Sequence, residues 1–417
     1  MSRKLFCTLM AWALLLCAET VSRAEILDIR GTVFEDANNN AVLDNGERPL
    51  QGVVVSDGNL IAVTDEEGSY AMRMPPDSIV FVSVPGTHHA RANNFYTRLD
   101  DPSLTRRNID FPLVINADTV ADKRFMFVFA SDTHATHARN AKDGIKKAYG
   151  MITDLGPAFV VHGGDIIFDG IHTPDENMVR EQFELYRKYL LPIIGPPLYH
   201  TIGNHDVFGW MAIPDSAPAP PLYGKEMYKN YFGPTYYSFN YKHCHFVVLD
   251  TIARARNEAG ENTYHGSIGQ AQLEWLRRDL SEVERSRPII IVTHIPMINA
   301  LGSLFGLQSE IVLTPEGKRT AKHQVRNFQQ LLGEVLKGYN FKLALAGHYH
   351  TFEEISWKDS NHDALFVVGG SICGEWWKGD RVVGYSVWPE GFTIVKVDGD
   401  DFDASYVSYG WTGVDEQ

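Results

Sequence analysis

Five short segments of this chain place polar side chains directly after apolar runs, and they follow one another in a fixed order. Asp, His and Asn side chains are ligands of divalent cations, and the glycines beside them allow the backbone to approach closely. Together the segments predict a site for two adjacent cations. They are Ser131-Asp132-Thr133-His134, Gly163-Gly164-Asp165, Gly203-Asn204-His205-Asp206, Thr293-His294 and Gly347-His348-Tyr349-His350.

The content and order of these segments resemble the calcineurin-like metallophosphoesterase superfamily, whose pattern is Asp-x-His, Gly-Asp, Gly-Asn-His-Asp/Glu, His and Gly-His-x-His. The resemblance spans roughly residues 125–352 and includes all five blocks without substitution. It implies a four-layer α/β/β/α sandwich, with two sheets face to face, helices outside them and ligands on loops at the carboxyl ends of strands. The implied activity is hydrolysis of a phosphoester.

The resemblance also implies how the metal ligands are divided. Asp165 would bridge two divalent ions through its carboxylate, and a metal-bound hydroxide would attack phosphorus because metal binding lowers the pKa of water to about 7. His and carboxylate ligands accept Fe, Mn, Zn or Mg, so the sequence leaves the metals open. The other ligands are Asp132, His134 and His350 for the first ion, and Asn204, His294 and His348 for the second.

His205 follows the ligand Asn204 directly, and we expect it to protonate the leaving oxygen as a general acid. Asp206 is the next residue, and we expect it to orient the His205 ring. Both residues are therefore predicted to be catalytic. A single histidine is more often a packed or surface residue, so the prediction depends on the joint occurrence of all five blocks.

Changes in periodicity divide the chain into regions. Residues 25–118 carry short β-like runs between turn signals, which predicts a small all-β sandwich. Apolar runs and helix-like stretches then alternate, which predicts an α/β domain over residues 119–352. Residues 353–417 form a β-rich segment that either closes the main sheet or stands as a small domain. The helix-like stretches include Ala138–Leu155, Val179–Leu190, Gly269–Glu284 and Lys322–Lys337.

One loop of the first region has the ligand spacing of an EF-hand calcium site, with oxygen-bearing side chains at loop positions 1, 3, 5, 9 and 12. Position 6, where the sharp turn favours glycine, is Ala41. The loop therefore either binds calcium or is an Asn-rich turn without an ion. Its candidate ligands are Asp36, Asn38, Asn40, Asp44 and Glu47.

The first 24 residues have the pattern of an export signal. Arg3 and Lys4 precede an apolar run, Leu5–Ala18, that is short for a membrane span, and Ser22-Arg23-Ala24 provides small residues for cleavage. We expect residues 1–24 to be removed, leaving a periplasmic or secreted protein without a transmembrane anchor. A retained anchor helix is the alternative.

The formal charge of −14 bears on the partners of the chain. Nucleic acid is bound by clustered Lys and Arg, and the sequence has no such cluster, so a nuclease is disfavoured although it would share the ligand set. The expected substrate is a small-molecule or lipid-linked phosphoester, either a monoester or a diester. A non-catalytic binding or scaffolding protein with the same fold is the alternative, and the intact His205 argues against it.

Several other side chains have two interpretations. Arg254 and Arg256 could each hold a substrate oxygen, or they could lie in a solvated loop. Trp376 and Trp377 either wall the pocket or belong to the core. Cys244 lies in an alternating apolar run, which favours a buried structural thiol.

Overall fold

The computed structural model describes residues 26–90, 94–100, 108–116, 122–306 and 310–411. The predicted export signal, residues 1–24, lies outside the described residues. Within those ranges, no helix is both long enough and apolar enough to cross a membrane.

The first region is all-β and contains two sheets, ordered β2-β1-β9-β7, with β5 also paired to β1, and β4-β3-β6-β8. Side chains alternate between buried and exposed along β5, as expected for a strand with one face on a core. The strands are β1 (Leu27–Glu35), β2 (Arg48–Pro49), β3 (Val54–Ser56), β4 (Ile61–Val63), β5 (Ser69–Met74), β6 (Ile79–Val82), β7 (His88–Ala90), β8 (Tyr96–Arg98) and β9 (Phe111–Ile115).

The rest of the described chain is mixed α/β, as the sequence predicts. Its strands are β10 (Arg124–Ala130), β11 (Val160–His162), β12 (Leu198–His200), β13 (Tyr237–Tyr241), β14 (Cys244–Val248), β15 (Ile252–Arg256), β16 (Asn262–Gly266), β17 (Ile289–Val292), β18 (Ile311–Leu313), β19 (Arg319–Ala321), β20 (Phe341–Ala346), β21 (Phe352–Lys358), β22 (Asp363–Gly369), β23 (Arg381–Val383), β24 (Ser386–Trp388), β25 (Gly391–Asp398) and β26 (Asp401–Ser408). Its α-helices are α1 (Ala141–Leu155), α2 (Glu176–Glu184), α3 (Glu226–Phe232), α4 (Gln270–Ser281), α5 (Ala300–Leu304) and α6 (Phe328–Gln330).

Two large sheets form the centre of this region. The first sheet has the order β12-β11-β10-β25-β26, and the second has the order β13-β14-β17-β20-β22-β21. Aromatic side chains from both sheets meet between them: the Tyr199 and Phe239 rings stack with centroids 3.7 Å apart, and Phe127 lies edge-on to Phe246 at 5.5 Å. The two sheets therefore lie face to face over a shared aromatic core. The complete four-layer order stays a prediction.

The five polar segments all follow strands that have parallel neighbours. The strands β10, β11 and β12 are parallel in the first sheet, and β14, β17, β20 and β22 are parallel in the second. Because parallel strands end at the same edge of a sheet, each sheet gathers its polar loops at one edge. This arrangement is the reason that residues far apart in sequence can form one site.

The C-terminal segment adds strands to both large sheets: β21 and β22 belong to the second sheet, and β25 and β26 to the first. The long strand β25 pairs with β10 in antiparallel register, from Arg124 opposite Asp398 to Phe129 opposite Thr393, and β26 forms the next strand. Of the two arrangements that the sequence left open, this strand pairing favours the one in which the segment completes the main sheets. The domain boundary at residue 352 stays a prediction.

A smaller sheet, which we call the cap sheet, consists of β16-β15-β18-β19. It is built from two separate parts of the chain that meet where Arg256 pairs with Leu313. Its strand β16 contributes the buried Tyr264. The cap sheet adds side chains to the candidate site that the five polar segments do not contain.

One helix prediction is wrong in part. Helices cover most of Ala138–Leu155, Val179–Leu190 and Gly269–Glu284, with a π-helical turn at Leu185–Leu190, but helix begins only at Phe328 in the stretch Lys322–Lys337. Residues 322–327 form bends and a turn instead of helix, because their backbone bonds to other segments: the Gly266 N–H donates to the Lys322 carbonyl, and the Val325 N–H donates to the Pro296 carbonyl. These long-range bonds override the local helical pattern.

The candidate calcium loop is compact. The Asn38 and Asn40 amides donate to the Asp44 carboxylate at 2.6 and 2.7 Å, and the Glu47 carboxylate accepts from the Ala37 and Asp44 backbone N–H groups. Asp36 is buried and accepts from the backbone of Asn40 and Ala41. Ala41 has φ 64°, the conformation for which an EF-hand uses glycine. Calcium binding stays a prediction.

Candidate metal centre

The fold brings all seven candidate metal ligands into one buried cluster. The donor atoms of Asp132, His134 and Asp165 lie within 4.8 Å of one another, and so do those of Asp165, His294 and His348. His350 and Asn204 extend these two groups. We call Asp132, His134, Asp165 and His350 the first group, and Asp165, Asn204, His294 and His348 the second group.

In the first group, two imidazoles face each other and a carboxylate. The Nε2 atoms of His134 and His350 are 3.2 Å apart, and His350 Nε2 is 3.3 Å from Asp132 Oδ1. The Asp132 carboxylate is held by the Ser131 hydroxyl, which donates to it at 2.6 Å. Donor atoms that converge in this way suit a single small cation.

The second group converges on His294. Its Nε2 lies 3.1 Å from Asn204 Oδ1 and 3.2 Å from His348 Nδ1. Asp165 belongs to both groups, because its Oδ2 is 3.2 Å from His294 Nε2 and 3.6 Å from His134 Nε2. This single oxygen therefore stands where the two groups meet.

Backbone strain is concentrated at the candidate ligands. Five of the seven have φ in the left-handed region: Asp132 (53°), His134 (44°), Asp165 (53°), His348 (76°) and His350 (59°). Such conformations cost roughly 1–3 kcal/mol each for residues other than glycine, and they persist where the surrounding structure demands them. Their concentration here indicates a functional site.

In three of the imidazoles, a hydrogen bond at the outer ring nitrogen determines which nitrogen faces the site. The Nδ1 atoms of His134, His294 and His350 lie 3.3, 2.8 and 2.6 Å from backbone carbonyls of Phe168, Gly163 and Gly374. A carbonyl only accepts, so each Nδ1 carries a proton, and each Nε2 would offer its lone pair to a cation bound in the cluster. Burial also lowers the pKa of His134 to about 3, which keeps this ring neutral. The residues present therefore fit a pair of divalent cations.

The structure corrects the role predicted for Asp206. Its carboxylate is fully buried and accepts hydrogen bonds from the backbone N–H groups of Ile166 and Gly203, both at 2.8 Å, and of Ile167 at 3.1 Å. These bonds brace the loops that carry Asp165 and Asn204. Asp206 therefore supports the backbone of the site, and it does not orient His205.

His205 has a different carboxylate partner. Its Nδ1 lies 3.4 Å from Asp169 Oδ1, and its backbone N–H donates to Asp165 Oδ1 at 2.8 Å. Burial disfavours the charged ring, but the Asp165 and Asp169 carboxylates outweigh burial and raise the pKa of His205. Asp169 was absent from the predicted set because it lies four residues after Asp165, outside any of the five blocks.

A cavity of about 210 Å³ opens beside the cluster. Trp376 forms one wall, with its ring centroid 4.1 Å from His134 and 5.0 Å from His205, whereas Trp377 is buried. The two tryptophans thus divide between the two interpretations that the sequence left open. The cavity is lined by Asp165, Asn204, His205, Tyr264, His323, His348, Tyr349, His350, Trp376 and Arg381.

Arg254 and Arg256 do not line this cavity. Both are bound to Asp215, and Arg254 also donates to the Tyr223 hydroxyl. Cys244 and Cys373 are buried free thiols. Cys373 lies behind the His350 ring, 3.7 Å from Nδ1.

The fold and the cluster together define an α/β protein with a candidate binuclear metal centre at the carboxyl edges of two facing sheets. Comparison with known families gives a specific assignment. Residues 125–352 match the model of the calcineurin-like phosphoesterase family, and residues 37–115 match the model of an N-terminal domain of calcineurin-like phosphoesterases. The first match covers more than half of the chain. The chain belongs to the calcineurin-like phosphoesterases, metal-dependent hydrolases of phosphoester bonds.

Individual relatives are distant. A manganese-dependent ADP-ribose/CDP-alcohol diphosphatase from Arabidopsis thaliana is 24% identical over 230 residues, which are 46% of this chain and 64% of the relative. A dimetal phosphatase from Danio rerio is 16% identical, with a TM-score of 0.42 over 69% of this chain and 100% of that one. GAP50, the anchor in the inner membrane complex of Plasmodium, is 13% identical, with a TM-score of 0.40 over 71% of this chain and 88% of that one.

The close packing around Gly347 generates a prediction. A Cβ at this position would lie 2.0 Å from Ser131 Oγ and 2.5 Å from Asp132 Oδ2, so Gly347→Ala must displace the Asp132 carboxylate. We expect divalent-metal affinity to fall by roughly tenfold or more, as when support of a metal ligand is lost. Isothermal titration with Mn²⁺ measures this change.

Gly150→Ala is the matched control. Gly150 lies within α1, and a Cβ there has no neighbour within 4 Å. This variant should bind metal normally and gain up to about 1 kcal/mol of helix stability. Equal metal binding by Gly347→Ala and the control would contradict the predicted displacement of Asp132.

Proposed function

We propose that this chain is an exported hydrolase that uses two divalent metal ions to cleave a phosphomonoester or a phosphodiester. The observation that carries the proposal is the position of Asp165 Oδ2 between His134 Nε2 and His294 Nε2, at 3.6 and 3.2 Å. A carboxylate in this position is suited to join two cation sites. The first and second groups would each hold one of the ions.

The protein side of the mechanism follows from the same geometry. Two bound ions would activate a water molecule and neutralise charge on the phosphoryl oxygens. The chain would orient the phosphoester within the cavity and close one side with the Trp376 ring. Proton transfer to the departing oxygen then needs a separate group, because the inner nitrogens of the candidate ligand imidazoles would be occupied by the bound ions.

His205 is the residue that we assign to this proton transfer. Its backbone is fixed to Asp165 Oδ1, which places the ring beside the bridging carboxylate. Its Nδ1 faces Asp169, so Nε2 is the nitrogen left for the substrate, and the nearby carboxylates favour the protonated ring. Asp169 takes the orienting role that the sequence assigned to Asp206.

The substrate class is open between monoesters, diesters and diphosphates. The name of the Arabidopsis relative adds diphosphates such as ADP-ribose and CDP-alcohols to the compounds worth testing. The cavity of about 210 Å³ has aromatic walls from Tyr264 and Trp376 and a cation from Arg381. This lining suits a small phosphoester with an apolar or aromatic group.

Hydrolysis with defined metals tests the proposal. The purified chain, stripped of metal and reloaded with Mn²⁺ or Zn²⁺, should cleave a chromogenic phosphomonoester or a phosphodiester, and ADP-ribose is assayed beside them as a diphosphate. Asp165→Asn should abolish turnover, because the carboxylate common to both groups would lose one charged oxygen.

The alternative function gives the opposite result. A non-catalytic binding or scaffolding protein would hydrolyse none of these compounds with any metal, even when fully loaded. Metal-independent turnover that persists in Asp165→Asn would also contradict the proposed mechanism.

The general-acid role predicts a dependence on the leaving group. His205→Ala should lower kcat by about 10²–10⁴-fold for an alkyl phosphoester, whose leaving oxygen needs a proton. The loss should be much smaller for 4-nitrophenyl esters, since nitrophenolate leaves without protonation. Steady-state kinetics on both substrates, with metal content measured in parallel, make the comparison.

The two controls for His205→Ala have defined outcomes. Metal content should equal that of the unaltered chain, because His205 is not among the candidate ligands. Loss of metal, or equal loss of kcat on both substrates, would show that His205 has another task.

Export is a separate part of the proposal, and it is supported by the sequence pattern of residues 1–24. Expression of the full chain in a host with a secretory pathway should yield an exported protein whose intact mass begins at Glu25. A membrane-bound product that retains residues 1–24 would contradict this prediction and favour an anchor helix.

A further inference from the structure

His323 contacts a candidate metal ligand from outside the five polar segments. Its Nδ1 lies 2.7 Å from Nε2 of His348, and the two rings are tilted by 30° with centroids 5.0 Å apart. His323 belongs to residues 322–327, whose backbone bonds to other segments fix it beside the cap sheet. The Tyr349 hydroxyl also donates to the His323 carbonyl at 3.0 Å. The position of His323 is therefore held on both sides.

His348 needs such a partner more than the other candidate ligand imidazoles do. His134, His294 and His350 each direct Nδ1 to a backbone carbonyl, which fixes the ring and leaves Nε2 for the cluster. His348 is reversed, because its Nδ1 faces His294 and its Nε2 faces His323. The His323 side chain therefore fixes the His348 ring, whereas backbone carbonyls fix the other three rings.

His323 in turn contacts a carboxylate on its other side. His323 Nε2 lies 3.2 Å from Oε2 of Glu310, and Lys322 Nζ donates to Oε1 of the same carboxylate at 2.8 Å. The hydrogen bond from His323 and the contact with Lys322 outweigh burial and lower the pKa of Glu310 to about 2, so this carboxylate is charged. Lys322 is itself placed over the Tyr264 ring, 4.9 Å from its centroid.

Proton placement along this series is determined by its charged end. Glu310 can only accept, so His323 Nε2 carries a proton and His323 Nδ1 is left as an acceptor. His348 Nε2 must then donate to His323, which leaves the His348 Nδ1 lone pair directed at the second group. Each imidazole has one proton and one lone pair, so the series is internally consistent.

We propose that His323 and Glu310 are positioning residues that fix the tautomer and orientation of His348 and thereby set the affinity of the second group for a divalent ion. The inference deepens the proposed function and rests on it, since it requires two cation sites. It assigns a role in metal binding to residues that flank the cap sheet, which the five polar segments do not predict. Outer partners of metal-binding histidines typically contribute about 10–100-fold to metal affinity.

Metal binding, measured without substrate, tests this proposal. The full chain is stripped of metal and titrated with Mn²⁺, by calorimetry and by electron paramagnetic resonance, which distinguishes a coupled Mn²⁺ pair from a single ion. His323→Phe should weaken one of the two binding events by about 10–100-fold and delay formation of the coupled pair. The other binding event should be unchanged.

Two further variants separate positioning from packing. In His323→Asn, the side-chain amide can replace Nδ1 as an acceptor for His348, so we expect affinity between that of the unaltered chain and that of His323→Phe. Glu310→Gln should also weaken cation binding by the second group, because a neutral amide no longer determines which His323 nitrogen carries the proton.

His265→Phe is the matched control, since His265 is a buried histidine on β16 of the cap sheet. The metal affinities of this variant should be unchanged.

The outcomes distinguish this inference from the proposed function. If His323→Phe and Glu310→Gln bind both ions with unaltered affinity, the positioning role is wrong. If His265→Phe weakens metal binding as much as His323→Phe, general packing of the cap sheet is responsible and the positioning role is again wrong. An unaltered chain that binds two ions but hydrolyses no phosphoester would contradict the proposed function alone.

Discussion

The carboxylate of Asp165 is the point on which the site depends. One oxygen lies between His134 and His294, and the other accepts the backbone N–H of His205. A single side chain therefore links the first group, the second group and the candidate proton donor. Because these residues come from both large sheets, the site exists only if the edges of the two sheets are held together in register.

The backbone around Asp165 shows what this convergence demands. Asp165 has φ 53°. A Cβ on Gly203 would lie 2.1 Å from the backbone nitrogen of Asp165 and 2.1 Å from Asp165 Oδ1. The loop can be this tight because Asp206 accepts three backbone N–H groups from the strained segments. A buried carboxyl that accepts several hydrogen bonds offsets strain of roughly 1–3 kcal/mol per residue, which a loop without it would relieve by opening. Asp206 thus serves the site indirectly.

The differences between sequence and structure have a common physical cause. Local order along the chain was sufficient to identify the candidate ligands, since each follows an apolar strand. It was insufficient for contacts between segments: Asp169, not Asp206, faces His205, because a loop turns each side chain in ways that sequence spacing does not encode. His323 was hidden for the same reason, since residues 322–327 have a helical pattern but are held out of helix by bonds to Gly266 and Pro296.

The C-terminal segment is part of the site, although the match to the family model ends at residue 352. The Trp377 indole donates to the backbone carbonyls of Thr133 and His134, both at 3.1 Å, and the Gly374 carbonyl accepts from His350. The backbone N–H of Ile372 donates to the Ser131 carbonyl. These bonds satisfy polar groups of the two strained loops that carry the first group, and unsatisfied buried groups of this kind would each cost about 1–3 kcal/mol.

The strand β25 fixes the segment in place by pairing with β10, which leads directly into Asp132. The first group therefore requires the chain well beyond the last of the five polar segments.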